Sequence, residues 1–573
     1  MEDSAAAAVA PPVDPDDDRL SDRLLRFVDR RRWWLLGAVA LLYALSFTGR
    51  WRVAPDTALY MELGRNVAEG HGFTYHGVHH NWYEPGLPYT VALSFRWFGE
   101  GNYLPLTLFM LACGAVSLAL TYHLFRLHAG TQTAILMTLL LAITETFYRY
   151  CFQIVTDPPF LVGILSFLVG YEALNRREEE PRSRWGTWWG WLAIVFGTLL
   201  MVAFRPTIIT FLGALGVATL YHLARGPNRA KHVLILMLTL ACVFAFRKAD
   251  PRRATPGEAA YREGMLKTLL TEKRGFALHR MFTVFIPEMA GEVTPEAVFG
   301  IELGTGADEI SSVAVVALGL ALVTRRVLWG AWVAATVAQM AFWLPRERYY
   351  LPILPLLLYA IWLAALWLEG HWRGTAGRVA FAGVLLLIMV PNILQDGNFV
   401  WEQHLRGISA TDLRDPGGRA LVEMGQLISK NVGENDVVLA EAARELTYFS
   451  RRKVVAPPKS LRQPPPAAME QRVREEVLAA PSAFAVMPEE WKIPHIANLL
   501  NELGLELGPE VGRVKQEPWK RREKPPLVLH RLVRRTPATA AATRPPAPGP
   551  ARDTSPAAPR TTKATTRPSP PGG

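Results

Sequence analysis

The chain alternates long apolar runs with short polar connections over most of its length. Most runs approach the roughly 20 residues that a helix needs to cross a hydrocarbon core about 30 Å thick. Eleven such runs lie at about residues 33–48, 103–125, 132–148, 158–174, 187–203, 207–223, 232–246, 310–324, 327–344, 350–368 and 378–394. Because apolar residues cluster instead of alternating, the pattern predicts a polytopic α-helical membrane protein with about eleven transmembrane helices.

The polar connection between the first two runs carries an unusual density of chemically capable side chains. It reads PDTALYMELGRNVAEGHGFTYHGVHHNWYEPGLP from Pro55 to Pro88. After Asp56, helical spacing relates Tyr60, Leu63, Gly64, Val67 and Ala68, which predicts a helix lying against the membrane. Residues 89–98 are too short to span and predict a second interfacial helix in this first outer loop.

The composition changes after Gln395, where helical and strand patterns alternate. Helices are predicted at about 417–431, 441–449, 467–479 and 489–503, and strands at 437–440, 453–456, SAFAVM and PLVLHRLV. This alternation predicts a small α/β domain, and it contains no glycine-rich nucleotide loop. The predicted segments are a cytoplasmic N-terminal segment (1–32), a transmembrane domain (33–395), an outer-side α/β domain (396–535) and a disordered tail rich in Pro, Ala and Thr (536–573).

The charge distribution indicates which binding partners to expect. A net charge of +11 is typical of nucleic-acid binding, but the basic residues concentrate in short loops between apolar runs. Arginines in alternate loops indicate cytoplasmic loops by the positive-inside rule, so membrane lipids and not nucleic acid are the expected surroundings. These loops contain Arg30–Arg32, Arg126, Arg176–Arg184, Arg225–Lys231, Arg325–Arg326 and Arg373–Arg378.

The candidate functional residues fall on the opposite, outer side. Arg205, Arg346 and Arg348 are candidate phosphate ligands, because a guanidinium offers several fixed donors and stays ionised near lipid. The alternative is that these arginines reach lipid headgroups. Asp157 in TDPPF begins a span, where it either caps the helix or faces a cavity beside Asp56.

The order of these motifs resembles the GT-C membrane glycosyltransferases, in the branch of the protein mannosyltransferases and the lipid A aminoarabinose transferases. The resemblance covers roughly residues 33–395. Its signals are Asp56 just after the first span, the following Tyr60 with its glycine-rich segment, and the turn Glu84-Pro85-Gly86-Leu87-Pro88. The Arg348-Tyr349 pair before a proline-rich span matches the late outer loop of the family.

The resemblance implies a GT-C fold and an inverting glycosyltransferase that uses a polyprenyl-phosphate-linked sugar donor. Asp56 is then the base that takes the acceptor's proton, and Asp157 is a second acid in the cavity. Arg346 and Arg348 stabilise the phosphate leaving group, with Arg205 as a further phosphate ligand. Tyr60, Glu84 and Tyr349 are expected to contact substrate. The acceptor is a lipid, a glycan or a protein, and the expected location is the bacterial plasma membrane with the active site facing outward.

A divalent metal is the only candidate cofactor. His79, His80 and Glu84 carry suitable donors, but no HxH or HxxxH spacing is present. In the aminoarabinose transferases the glutamate of this loop is a metal ligand, which implies Glu84 here, while the matching histidine cannot be placed in this sequence.

Two other functional classes fit a polytopic chain. A secondary transporter or lipid flippase predicts ionisable residues near the bilayer midplane and repeated halves, whereas the acids and arginines here gather at outer ends of spans without an internal repeat. A receptor or scaffold that keeps the fold without catalysis is the third reading.

Overall fold

The computed structural model describes residues 19–80, 83–175, 184–226, 228–249, 281–301, 304, 306–342, 346–372, 374–405, 416–457, 467–488, 494–516 and 525–534. Residues 1–18, the predicted tail and the start of the predicted helix at 489–503 lie outside the described residues. The structure confirms a mostly helical chain with helices long and apolar enough to cross a membrane and a small C-terminal sheet region.

The helices before residue 405 form the membrane part. They comprise Leu20–Ser46, Pro55–Ala68, Gly86–Phe98, Leu104–Ile143, Glu145–Tyr150, Asp157–Asn175, Arg184–Phe204, Ile208–Arg225, Arg229–Ala249, Ile286–Glu288, Thr294–Phe299, Ala307–Ala321, Val327–Phe342, Leu354–His371 and Thr375–Leu405. Two π-helical turns, Met281–Phe285 and Met289–Val293, flank the short helix Ile286–Glu288, and 3-10 turns lie at Leu322–Thr324 and Glu347–Tyr350.

The predicted number of eleven spans stays a prediction. Eight helices in the described part of the chain are long and apolar enough to cross a membrane. The runs predicted at 103–125 and 132–148 both fall in the segment Leu104–Ile143, where Gly130, with φ 81° and ψ 171°, is non-helical and separates two helices. The run at 327–344 yields a shorter apolar helix, and the first run forms the second half of the helix Leu20–Ser46, whose first half is charged.

Both helices predicted for the polar connection after the first apolar run are present. The first, Pro55–Ala68, is called the loop helix here, and it packs closely against Gly86–Phe98. A Cβ at Gly64 would lie 2.4 Å from Val91 Cγ1, so only glycine permits this approach. A two-stranded hairpin, β1 (Thr74–Tyr75) and β2 (Val78–His79), joins the two helices.

Two spans pack through glycines along their crossing. The helices Asp157–Asn175 and Arg184–Phe204 make the largest interhelical contact in the described chain. A Cβ at Gly163 would lie 2.9 Å from the Gly197 carbonyl oxygen, and one at Gly170 would lie 2.5 Å from the Gly190 carbonyl oxygen. The backbones thus approach as in small-residue packing between membrane helices.

The C-terminal region is a five-stranded sheet with helices on both faces. The strands are β3 (Val437–Leu439), β4 (Lys453–Val455), β5 (Ala483–Pro488), β6 (Leu505–Val514) and β7 (Leu527–Arg534), in the order β4-β3-β5-β7-β6. Pairing is parallel among β4, β3 and β5 and antiparallel from β5 through β7 to β6. Separate apolar clusters cover the two faces, beneath helices Pro416–Asn431 and Ala443–Ser450 on one side and Ala467–Ala479 and Pro494–Leu503 on the other.

Strand β6 escaped the sequence prediction. It lies at the sheet edge and carries exposed or half-exposed charged residues such as Glu506 and Arg513. Its register is broken between Leu507 and Glu510 and again before Gly512. An edge strand with polar faces and bulges lacks the apolar alternation that identifies a buried strand.

The helix Ala443–Ser450 of the C-terminal region docks on the first outer loop, and we call it the docking helix. Tyr448 is buried, and its hydroxyl lies 3.0 Å from that of Tyr103. Its carbonyl accepts a 2.9 Å hydrogen bond from Arg65 Nη1 in the loop helix. The last transmembrane helix, Thr375–Leu405, runs past the predicted domain boundary at residue 395. The C-terminal region is therefore in direct contact with the loop that carries Asp56.

Candidate active site

Asp56 lies in the first turn of the loop helix without acting as its cap. The N-cap is Ala54, whose amide donates to Thr57 Oγ1 over 3.1 Å, and Pro55 occupies the first helical position. The Asp56 side chain is instead held by other side chains. The start of the loop helix is therefore capped by Thr57 and not by Asp56.

Three side chains from three separate segments donate to the Asp56 carboxylate. Arg348 Nη2 lies 2.7 Å from Oδ2, and Arg444 Nη1 lies 2.7 Å from Oδ1. The Tyr83 hydroxyl donates to Oδ1 over 3.1 Å. Both carboxylate oxygens are thus engaged by guanidinium groups, one from the late outer loop and one from the docking helix.

The two guanidiniums decide the protonation state of Asp56. Burial raises the pKa of this carboxyl, but the charges of Arg348 and Arg444 outweigh burial and lower the pKa below its ordinary value. Burial also raises the pKa of Tyr83, to about 12, so that the phenol stays protonated as a donor. Asp56 is consequently a carboxylate at neutral pH.

A second ion pair lies beside the first. Arg205 Nη1 contacts Asp157 Oδ1, and both side chains are almost fully buried, at 10% and 1% exposure. Asp157 begins the span Asp157–Asn175, and Arg205 directly follows Arg184–Phe204, so the glycine-mediated crossing of these helices brings the pair together. A buried pair of this kind aligns the two helix ends.

Tyr349 connects the two ion pairs. The Arg205 guanidinium lies 4.8 Å from the centre of the Tyr349 ring, and that of Arg348 lies 5.3 Å from it. Arginine stacks on aromatic faces through cation–π attraction. The predicted residues Asp56, Asp157, Arg205, Arg348 and Tyr349 therefore form one cluster, which we call the Asp56 cluster.

Tyr60 supports this cluster from the loop helix. Its ring meets that of Tyr83 edge to face, with 5.0 Å between the centres, and its hydroxyl interacts with the side chain of Thr156, next to Asp157. Burial holds the pKa of Tyr60 well above its ordinary value. Tyr60 thus positions Tyr83 and the loop before Asp157.

Two predicted site residues stand outside the Asp56 cluster. Arg346 is exposed, at the start of the 3-10 turn Glu347–Tyr350. Glu84 is buried and accepts hydrogen bonds from both terminal nitrogens of Arg247, at 2.6 and 3.3 Å. In the described ranges no group of three His, Cys, Asp or Glu side chains gathers that could hold a metal ion. Among the described residues, Glu84 is thus paired with Arg247, and this donor set does not fit a metal.

Arg444 is the functional candidate that the sequence did not reveal. It lies on the docking helix, 388 residues from Asp56 along the chain. Its segment, EAARELTYFS, has the composition of an ordinary amphipathic helix, so only the contact between the C-terminal region and the first loop identifies it.

A small pocket opens beside the cluster. Arg205, Thr207 and Gln339 give it polar groups, and its remaining lining is largely apolar: Phe160, Trp332, Thr336, Met340, Tyr349 and Pro352. One donor of the cluster also lacks an acceptor, since Arg348 Nε is buried without a hydrogen-bond partner. The site thus offers an unused cationic donor close to a partly apolar opening.

Residues 81–247 match the family model described as dolichyl-phosphate-mannose-protein mannosyltransferase. The matched segment contains Asp157, Arg205, Tyr83 and the Glu84–Arg247 pair, whereas Asp56, Arg348 and Arg444 lie beyond it. No curated protein sequence matches the chain.

Solved structures resemble the chain at low sequence identity. The crystal structure of ArnT from Cupriavidus metallidurans in the apo state is 13% identical, with a TM-score of 0.49, over 88% of this chain and 98% of that one. The structure of ArnT bound to undecaprenyl phosphate gives 13% and 0.48, over 87% and 98%. Archaeal oligosaccharyltransferase AglB from Archaeoglobus fulgidus, in complex with an inhibitory peptide and a dolichol-phosphate, gives 13% and 0.47, over 79% and 69%.

The family match lies in the part of the chain that carries the turn Glu84–Pro88, Asp157 and Arg205. It confirms the predicted resemblance of this chain to the GT-C superfamily of membrane glycosyltransferases.

Proposed function

We propose that the chain transfers a sugar from a polyprenyl-phosphate donor to an acceptor hydroxyl at the Asp56 cluster. The observation that carries the proposal is the convergence there of two carboxylates with three arginines, Arg205, Arg348 and Arg444. The match to a mannosyltransferase family supports the reaction class. The donor and the roles of the residues are the proposal itself.

The charge balance of the site favours an anionic ligand. Three guanidiniums face two carboxylates, which leaves one positive charge without a counter-ion in the cluster. Arg348 Nε has no acceptor, and a phosphate oxygen would satisfy it. A planar guanidinium fork matches a phosphate better than a point charge does.

The neighbouring pocket favours a phosphate that carries a lipid. Arg205 and Tyr349 lie at the pocket and also belong to the Asp56 cluster, whereas Phe160, Trp332 and Met340 contribute apolar lining. A polyprenyl phosphate has the same division, with its charge at one end and an isoprenoid chain at the other.

The length of one span supports an active site on the outer side. Asp157 lies at one end of a 19-residue helix, and Glu172 lies near the other, where it contacts His128 and Arg326 at 3.3 and 3.5 Å. A helix rises 1.5 Å per residue, so the two ends are roughly 28 Å apart, close to the thickness of a bilayer core. The positive-inside rule assigns the turn with Arg325 and Arg326 to the cytoplasm, and the Asp56 cluster then faces outward. A transferase on that side needs a donor carried by the membrane, because nucleotide sugars are cytoplasmic.

The reaction follows from these positions. The acceptor oxygen forms a bond to the anomeric carbon while the bond from that carbon to the phosphate oxygen breaks, and the lipid phosphate leaves with the bonding electrons. Asp56 takes the proton of the acceptor hydroxyl, and Arg348 stabilises the charge that develops on the phosphate. A single displacement inverts the configuration at the anomeric carbon.

The test is direct transfer in membranes that contain the protein. Membranes are incubated with labelled undecaprenyl-phosphate and dolichyl-phosphate sugars, and the label is followed into lipid, glycan and protein fractions. We expect one fraction to gain label with the wild type and none with Asp56→Asn. Labelling equal to that of membranes without the protein, across all sugars offered, would contradict the proposal. Movement of unmodified donor across the membrane would favour the flippase alternative.

A further inference from the structure

The docking helix, which carries Arg444, is held to the rest of the protein by several side-chain contacts. Tyr448 follows Arg444 by one turn, so the two side chains share a helix face. The Tyr448 ring packs edge to face against Trp51, with 5.4 Å between the centres, and its hydroxyl meets that of Tyr103. At the far end of the helix, Arg451 Nη2 donates to Glu100 Oε2 over 2.6 Å. The anchoring of this helix therefore fixes the root of the Arg444 side chain next to Asp56.

Arg444 is also the most accessible arginine of the three that meet the carboxylates. Its side chain is 40% exposed, against 24% for Arg348 and 10% for Arg205. It contacts Asp56 Oδ1, while Arg348 contacts Oδ2 from a more buried position. Of the two guanidiniums on Asp56, Arg444 is consequently the one that a ligand entering from solvent reaches first.

The hydrogen bonds on Asp56 Oδ1 pose a chemical problem for the proposed reaction. Asp56 must accept a proton, but Oδ1 already accepts two hydrogen bonds, from Arg444 and Tyr83, and Oδ2 accepts one from the more buried Arg348. An acceptor hydroxyl that approaches Oδ1 therefore needs one of these two partners to leave. The donor phosphate is a diester with one negative charge on two free oxygens, so it offers Arg444 a charged acceptor equivalent to the carboxylate, while Arg348 still pairs with Asp56.

We propose that Arg444 is a donor-phosphate ligand supplied by the C-terminal region, and that the phosphate draws it from Asp56, which frees Oδ1 for the acceptor hydroxyl. This inference rests on the proposed function and extends it to the order of binding. The donor binds first, and the acceptor finds a competent base only afterwards. The C-terminal region thus takes part in the chemistry of the site.

Binding of undecaprenyl phosphate to the purified full-length protein tests the ligand role. We expect Arg444→Ala to weaken binding about tenfold to a hundredfold, the range for losing a charged hydrogen bond, and Arg444→Lys to weaken it less. Arg451→Ala is the matched control, because Arg451 holds the same helix to Glu69 and Glu100 without touching the cluster. Its binding should equal that of the wild type.

Each other outcome decides against the inference. Unchanged binding in Arg444→Ala, with a wild type that binds, overturns the role of Arg444 and leaves the proposed function standing. Equal weakening in Arg444→Ala and Arg451→Ala shows that docking alone matters and also overturns it. A wild type that does not bind undecaprenyl phosphate overturns the inference together with the proposed donor.

The pH dependence of kcat/KM distinguishes an electrostatic effect of Arg444 on Asp56 from a purely structural role of Arg444. Asp56 is faced by Arg348, Arg444, Tyr83 and Tyr60, with Asp157 beyond Arg348. Removing Arg444 takes away one of the two charges that lower the pKa of Asp56. The acid limb of kcat/KM for the donor should therefore move to higher pH in Arg444→Ala and stay in place in Arg451→Ala. An unmoved limb in Arg444→Ala overturns the proposed contact between Arg444 and the base.

Discussion

Arg348 Nη2 donates to Asp56 Oδ2 over 2.7 Å, although 292 residues separate the two along the chain. This contact joins the loop helix to the 3-10 turn Glu347–Tyr350 at one end of the helix bundle. Arg348 keeps its Nε donor unused, so the pair has room for one more acceptor. Asp56 and Arg348 are for this reason the first residues to change in a test of the site.

Asp56→Asn is expected to abolish most turnover while the protein still folds and binds donor. The amide keeps the size of the side chain but cannot take a proton at neutral pH, and general-base catalysis is worth about a hundredfold to ten-thousandfold. Initial rates of sugar transfer measure the effect. Near-normal transfer by a variant that accumulates normally would contradict the catalytic role of Asp56. The substitution leaves the helix cap intact, because Ala54 and Thr57, not Asp56, cap the loop helix.

Arg348→Lys and Arg348→Ala are expected to weaken donor binding in that order. Lysine keeps the charge but loses the planar fork, and alanine loses both. Arg346→Ala, two residues away on an exposed side chain, should have the smaller effect. Titration with undecaprenyl phosphate compares the three. Equal affinity in the wild type and both Arg348 variants would instead favour contact with lipid headgroups.

Substitutions of Asp157 and Arg205 are expected to be non-additive in their effect on the free energy of unfolding. Removing one partner leaves a buried charge and should cost about 3–5 kcal/mol, whereas Asp157→Ala combined with Arg205→Ala should cost much less than the sum of the single changes. Thermal unfolding of the detergent-purified variants measures the coupling. Strictly additive losses would mean that the two side chains do not depend on each other.

The Glu84–Arg247 pair predicts that the activity does not depend on Glu84 as a metal ligand. Both Glu84 oxygens accept from Arg247, so Glu84→Gln and Arg247→Gln should lower thermal stability similarly. Dialysis of the wild type against a chelator should leave transfer rates unchanged. Activity lost on dialysis and restored by Mn²⁺ in the wild type, but not in Glu84→Gln, would establish Glu84 as a ligand.

Topology is tested with single cysteines in a protein whose own three cysteines have been replaced. Val78 in the first outer loop and Thr324 beside Arg325 are both exposed. Val78→Cys should react with an impermeant thiol reagent in intact cells, and Thr324→Cys should react only after lysis. The reverse pattern would turn the active site toward the cytoplasm. Gly77, with φ at 71°, is a poorer position for cysteine than its neighbour Val78.

Features set by local sequence were predictable. The loop helix, the second interfacial helix and most elements of the C-terminal sheet follow from periodicity and turn residues within a few positions. The cluster of Asp56, Asp157, Arg205, Arg348 and Tyr349 was also proposed, because family motifs and charge asymmetry mark those residues individually.

Features set by packing were not predictable. Nothing near Glu84 in the sequence points to Arg247, 163 residues away, and nothing in the docking helix points to Asp56. Both contacts depend on how helices from distant segments cross. Strand β6 was missed for a different reason, since its position at the sheet edge removes the pressure for apolar residues.

The glycine crossing between Asp157–Asn175 and Arg184–Phe204 predicts where inactivating mutations of this protein would lie. Gly163 and Gly197 let the two backbones touch, and that contact sets the ends at which Asp157 and Arg205 meet. A methyl group added there wedges the helices apart and separates the ion pair from a distance. A genetic screen for lost activity would therefore also return glycine substitutions at the buried helix crossing. The positions of the inactive alleles would mark this crossing as well as the reacting groups.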